Sequence, residues 1–188
     1  MALSKINTAG LAADSVDNTI LDLTSNFAFT GTVSGAGGTS VAIIGDQKTQ
    51  GTHSGGATAG SWFTRDLNTE FFDPDGIVSI SSNQFTLGAG KYFIEFSVPA
   101  YDCARHRSRL YNVTASSVVA NSIAGNLGTS DDTSGTSTGR GYVDISSNTV
   151  FEIQQRVTST KSNSGQGLRF NLSGEVEFYT QVAISKVG

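Results

Sequence analysis

Few residues of this 188-residue chain have both the type and the spacing that chemistry requires. Cys103 and His106 could pair as thiolate and imidazole, the combination that attacks a carbonyl carbon. On an extended strand, however, residues three apart point to opposite faces, and no nucleophile motif surrounds the cysteine. Cys103 is therefore expected to be a small structural side chain at a strand end. His53 lies in a Gly/Ser/Thr loop with no second histidine near it in sequence, so a solvent-exposed side chain is expected rather than a metal ligand. Asp73 with Asp75, and Asp131 with Asp132, could offer oxygens to calcium, yet neither pair sits in a loop of the twelve-residue calcium type. Turn formation accounts for the first pair and loop solvation for the second. Glu152, Glu175 and Glu177 fall on expected strands and read as outward-facing charges. No glycine cluster lies between a strand and a helix, as a phosphate cradle requires. Asn112-Val113-Thr114 and Asn171-Leu172-Ser173 match glycosylation acceptors, which carry no weight without a secretory signal. The chain is thus expected to be non-enzymatic, with no catalytic, cofactor-binding or metal-binding residues and no cofactor.

One charged cluster stands out. On a strand, Arg105, Arg107 and Arg109 share one face while His106, Ser108 and Leu110 share the other. A net charge of -4 argues against a nucleic-acid binder, because a phosphate backbone demands more Lys and Arg than this chain carries. The cluster also lacks interleaved aromatics for base stacking. A solvated or subunit-facing strand is expected, and no nucleic-acid partner.

The elements that must position these residues read as strands. With 22 Gly, 2 Pro and 15% charged residues, and with stretches such as SGAGGTS and TSDDTSGTSTGRG, the composition suits an all-β protein with many polar turns. In Gln84 to Val98 apolar and polar residues alternate around Leu87-Gly88-Ala89-Gly90, the two-residue period of a half-buried strand. Similar segments are expected at 41–44, 61–67, 77–81, 105–113, 117–123, 140–145, 149–158, 168–172 and 175–186. Short strands at this spacing, with no convincing helix, predict an antiparallel jelly-roll sandwich. Asp73-Pro74-Asp75-Gly76 supplies a turn by its fixed proline φ and permissive glycine. The stretches 47–60 and 124–139 lack apolar anchors and read as long loops.

A single cysteine excludes an intrachain disulfide, so stability must come from packing or association. No secretory signal or membrane-length apolar run is visible, so the product is expected in a cytoplasm, without membrane insertion. Residues 1–38 differ from the rest. Leu3, Ile6, Leu11, Val16, Ile20, Leu21, Leu23, Phe27, Phe29 and Val33 are too thinly spread to make a core, so this segment needs a surface to lie on. It is expected to be an attachment arm with a Gly-rich linker, leaving 39–188 as the head domain.

The stretch Gln84 to Phe96 resembles the strand, turn and Gly-x-Tyr-x-Phe pattern of complement-type globular heads in the tumour-necrosis-factor superfamily. More closely, SWFTRDLNTE, ISSNQFTLGAGKYFIEFSVPAY, RHRSRLYNVT and EVEFYTQVAISKVG resemble carboxy-terminal head domains of tailed-bacteriophage fibre and other virion-surface proteins. Trp62, Arg65, Leu67, Asn68 and Thr69 match the first strand of that pattern; Arg105, His106, Arg109, Leu110, Tyr111 and Asn112 match its basic strand. The likeness spans about residues 41–188, and 1–38 is similar to segments that precede fibre heads. It implies a tumour-necrosis-factor-like jelly roll with an extended N-terminal arm, assembled as a homotrimer. The arm would dock on other virion proteins, and the head would face outward on the virion surface after assembly in the host cytoplasm, in reach of a host-surface receptor or glycan. There is no long stalk, so a short tail fibre or knob, a head fibre, and a capsid decoration protein that cements the shell are all compatible. A fibre depolymerase is disfavoured, because neither paired carboxylates nor a repetitive β-helix is visible.

Overall fold

A computed structural model describes residues 39–127 and 132–187. The expected arm, residues 1–38, lies outside the described residues. The strands run in chain order as β1 (Ser40–Lys48), β2 (Phe63–Thr64), β3 (Thr69–Phe72), β4 (Val78–Ser81), β5 (Gln84–Leu87), β6 (Gly90–Tyr101), β7 (Arg105–Asn112), β8 (Ser117–Asn121), β9 (Gly125–Asn126), β10 (Ser134–Ile145), β11 (Thr149–Val157) and β12 (Glu177–Lys186). They form two antiparallel sheets, one ordered β10-β6-β12-β1-β3 and the other β4-β5-β11-β7-β8, with β2 and β9 attached to β11 and β7. Sequence neighbours such as β5 and β6, or β10 and β11, lie in different sheets, so the chain crosses repeatedly between layers as a jelly roll does. Among the described residues no helix is long and apolar enough to cross a membrane.

The two-residue period sets the layers. Ile94, Phe96 and Val98 of β6 and Val182 and Ile184 of β12 point inward from the first sheet. They meet Phe85, Leu87, Leu110, Phe151 and Ile153 of the second. The rings of Phe85 and Phe151 stack across β5 and β11 with centroids 5.6 Å apart. On β7 the expected alternation holds: Arg105 and Arg107 are exposed, while His106, Ser108 and Leu110 are buried.

The strand boundaries shift where local chemistry outweighs alternation. Residues 168–172 form no strand, and only Phe63–Thr64 of the expected 61–67 segment pairs in the sheet. Thr69–Phe72 is an edge strand whose adjacent phenylalanines hide the period. Residues 134–139 of the stretch read as a loop at 124–139 are the start of β10, paired residue by residue with β6. Its small residues are required there: a Cβ on Gly139 would lie 2.2 Å from Phe96 Cζ. The stretch 47–60 also has an anchor, because Ala57 is buried and bridges to Lys161.

Arg65, just past β2, is fully buried. Its Nε donates to Thr180 Oγ1 on β12 (2.9 Å) and its Nη1 to Gln155 Oε1 on β11 (2.8 Å), so one side chain ties the two sheets together. Its Nη2 donates to Ser54 Oγ (3.1 Å) and to the Gln166 carbonyl (2.7 Å), which fastens two long connections to the same point. Ser54 in turn donates to buried Asp46 (3.0 Å), placing a counter-charge one hydroxyl away. Burial pushes the guanidinium down to about 10 against the pull of Asp46 and Asp66, which leaves it charged at neutral pH.

Removing one partner from such a network leaves others buried and unpaired. Arg65→Leu is therefore expected to cost about 3–5 kcal/mol in urea denaturation at fixed protomer concentration. Arg65→Lys should recover little, because a single ammonium cannot reach acceptors spread over a planar fork. A loss below about 1 kcal/mol for the leucine variant would show that the network contributes no more than an ordinary hydrogen bond.

Candidate functional site

The structure scatters the residues that sequence spacing singles out for chemistry. Cys103 is buried in the turn between β6 and β7, where Asp102 and Ala104 on either side take positive φ values of 46° and 57°. It packs with Ala57, Ala100, Leu127 and Val157. Burial pushes its thiol up to about 11, so almost none is thiolate at neutral pH. The strand starts only at Arg105, so the opposite-face rule does not apply to Cys103 and His106, and both are buried.

His106 lies in a niche shaped by two glycines. A Cβ on Gly125 would lie 2.3 Å from its Cε1, and one on Gly135 3.3 Å from the same atom. Neither ring nitrogen has a partner with hydrogen-bond geometry. Burial holds its pKa below the ordinary value, with the Ala104 backbone partly opposing.

The other candidates are structural. His53, expected to be exposed, is half-buried, and its Nδ1 accepts the Arg169 backbone N–H at 3.2 Å. Asp73 accepts the N–H groups of Ile77 and Val78, both at 2.9 Å, which builds its turn, while Asp75 is exposed. Asp131 lies outside the described residues; Asp132 accepts the Tyr101 hydroxyl at 2.8 Å. Two of the three glutamates depart from the expected outward placement. Glu177 is buried and accepts backbone N–H groups from Gly51 (2.9 Å), Phe170 (2.8 Å) and Asn171 (2.8 Å). Burial alone would raise its pKa, but those donors hold the carboxyl below its usual range. Glu152 is buried under the amides of Gln84 and Gln154. Glu175 is exposed, in the loop before β12. Among the described residues, no three His, Cys, Asp or Glu side chains gather as a metal-holding group.

The two outer sheet faces carry the clusters of exposed side chains. Cross-strand register on the first sheet sets Tyr142 beside Phe93, and in the next row Arg140, Glu95, Ala183, Ile43 and Phe72. Phe93, Ile43, Phe72 and Tyr142 are 38%, 37%, 50% and 55% exposed, a large apolar share for one open face. Phe71 covers Gly45 and meets Phe178 edge-on at 5.5 Å. A shallow depression of about 680 Å³ lies along the face, bounded by Ile43, Ile123 and the Arg140–Glu95 ion pair. On the second sheet Arg109 sits 4.0 Å from the Trp62 ring centroid and 5.1 Å from Tyr111, and donates to Gln154 (2.7 Å). The aromatics missing from the basic segment itself thus come from across the sheet and from its end. Sequence reasoning found Arg105 and Arg107 but missed their neighbour Arg156, which only strand pairing brings alongside.

His106 gives a pH dependence with a definite sign. Its folded pKa lies below the ordinary 6.5, so the unfolded chain takes up the proton first. Stability should be full above pH 6.5 and decline as pH falls through that value toward the lowered folded pKa. Thermal unfolding between pH 7.5 and 5 is expected to show this decline, and His106→Leu to flatten it. An equal slope in the variant would assign the titration elsewhere.

No protein-family model matches the chain, and no curated protein matches it in sequence. Solved structures do resemble it. Murine APRIL, crystallised at pH 8.0, is 8% identical over 80% of this chain and 100% of that one, with a TM-score of 0.52. The PRD1 vertex protein P5 is 14% identical over 81% of this chain and 100% of that one, also with a TM-score of 0.52. At such identities the likeness concerns the fold alone, and the chain has an all-β, tumour-necrosis-factor-like jelly-roll fold.

Proposed function

We propose that this chain is a non-enzymatic bacteriophage virion structural protein, a homotrimeric short fibre or knob. Its residues 1–38 dock on the particle, and its head faces outward for host recognition. The observation that carries the reading is the apolar outer face of the β10-β6-β12-β1-β3 sheet. An open face with Ile43, Phe72, Phe93, Phe178 and Tyr142 exposed is a poor solvent boundary and a good subunit contact. The fold supports self-association, and the fibre-head resemblance of Trp62–Thr69 and Arg105–Asn112 favours a trimer. The vertex protein of phage PRD1 among the structural neighbours supports a viral structural role. No buried nucleophile, acid pair or metal cluster competes among the described residues, because Cys103 is held as a thiol and Glu152 and Glu177 are consumed by hydrogen bonds.

The full chain should have the mass of a trimer by light scattering at micromolar concentration. Phe93→Glu combined with Ile43→Glu should yield a folded monomer, because each places a charge in the buried centre of the contact. A double variant that stays trimeric would move the interface off this face, and a monomeric wild-type chain would overturn the trimer. Deleting residues 1–38 should abolish incorporation into particles, and unchanged incorporation would remove the docking role.

A further inference from the structure

Arg105, Arg107 and Arg156 form the one strongly basic surface of the described head. Arg107 and Arg156 are direct cross-strand partners on β7 and β11, and Arg105 stands two residues along β7 on the same face, about 7 Å away. All three are exposed. None of the ion pairs uses them: those join Lys48 to Asp46 and Asp66, Arg140 to Glu95, and Lys161 to Asp102. Among the described residues, none of their guanidinium groups makes a hydrogen bond either. The nearest acid along the sheet, Glu152, is already engaged by Gln84 and Gln154. Like charges directly opposite on a sheet repel, and among the described residues nothing relieves that repulsion here. In a chain of net charge -4, that concentration is local and goes against the overall balance.

The surroundings narrow what would relieve it. A guanidinium fork matches a carboxylate or phosphate with two parallel hydrogen bonds. Thr158 and Asn126 flank Arg105, and Gln154 stands two residues along β11 from Arg156, opposite Arg109; none of them is aliphatic. A protein partner needs an apolar centre, which this patch lacks. A duplex binder neutralises roughly 6–10 phosphates along one continuous surface, which a single patch of three guanidinium groups cannot do. Beside them the half-buried Trp62, braced by Arg109, offers an amphipathic ring against which the C–H face of a sugar can pack.

We infer that the face carrying Arg105, Arg107, Arg156 and Trp62 binds an acidic oligosaccharide, with carboxylate or phosphate groups on its sugars held by the arginine forks. This gives the outward-facing head a ligand class. It rests on the virion reading for its setting, whereas the binding itself does not.

The test uses the full chain with oligogalacturonate as carboxylate probe and phosphomannan oligomers as phosphate probe. Neutral dextran, a charge-matched single-stranded DNA and a polyglutamate peptide serve as comparisons. Titration should show binding to at least one acidic sugar, none to dextran, and at least tenfold weaker binding to DNA and peptide. Affinity should fall with salt, because the contacts are exposed and screened. Arg107→Gln with Arg156→Gln should weaken sugar binding at least tenfold while leaving the thermal midpoint unchanged or raised, since a repulsion is removed. The acidic sugar should raise the midpoint of the wild-type chain and not of the variant. Equal binding to DNA or peptide, unchanged affinity in the double variant, or no binding to either sugar would overturn the inference. So would a double variant that loses its oligomeric mass, which would make the patch a subunit contact. Failure to bind sugars with intact incorporation into particles would sink this inference alone, and sugar binding without incorporation would sink the virion reading alone.

Discussion

The buried guanidinium of Arg65 is the constraint on which the rest of the head depends. A charge taken out of water is tolerated only when its donors are satisfied and a counter-charge is near. Here the acceptors come from β11, β12 and the long connections that carry Ser54 and Gln166, with Asp46 behind Ser54. None of these groups is adjacent in sequence. The network can therefore close only when both sheets and both connections are in place. In a chain with a single cysteine, this network is a non-covalent cross-link between the two sheets.

The same principle organises segments whose composition suggests no structure. Glu177 gathers the N–H groups of Gly51, Phe170 and Asn171, so the start of β12 holds two long connections together. Asp73 closes its turn on Ile77 and Val78. A carboxylate aimed at backbone N–H groups is a capping device, and its partners are set by chain folding rather than by any period. That is why alternation made the fold class and most strands legible, from Gln84–Leu87 to Arg105–Asn112, while it misplaced Glu177; Glu152 is buried for a different reason, the side-chain amides of Gln84 and Gln154 that cover it. Alternation also hid the first half of β10, whose Ser, Thr and Gly residues look like a loop, while the expected strand at 140–145 is its second half. Gly139 and Gly135 are small because the Phe96 ring and the Leu127 and His106 side chains occupy the space a Cβ would fill.

The candidate surfaces were legible to different degrees for a related reason. Arg105, Arg107 and Arg109 sit on one strand, so their common face follows from the two-residue period. Arg156 and Trp62 reach that face from β11 and from the residue before β2, and only antiparallel register reveals it. The apolar face of the other sheet has the same character. Ile43, Phe72, Phe93 and Tyr142 come from different strands, and each alone is an unremarkable exposed side chain. They form a surface because β1, β3, β6 and β10 lie in one layer.

Sequence identities of 8% and 14% to chains of the same fold show how little of that fold depends on particular side chains. An alternating pattern can be satisfied by many residues. The outer faces do not pack between the sheets, so their composition is free to follow what they touch. One face is apolar and broad, and the other carries three positive charges, unpaired among the described residues, beside an aromatic ring. A solvent-facing jelly roll needs neither property, and an unneeded repulsion between Arg107 and Arg156 lowers stability at no gain to folding. The two sheets thus divide the labour by chemistry: the apolar face suits a permanent contact that excludes water, and the basic face suits a reversible one that salt can weaken.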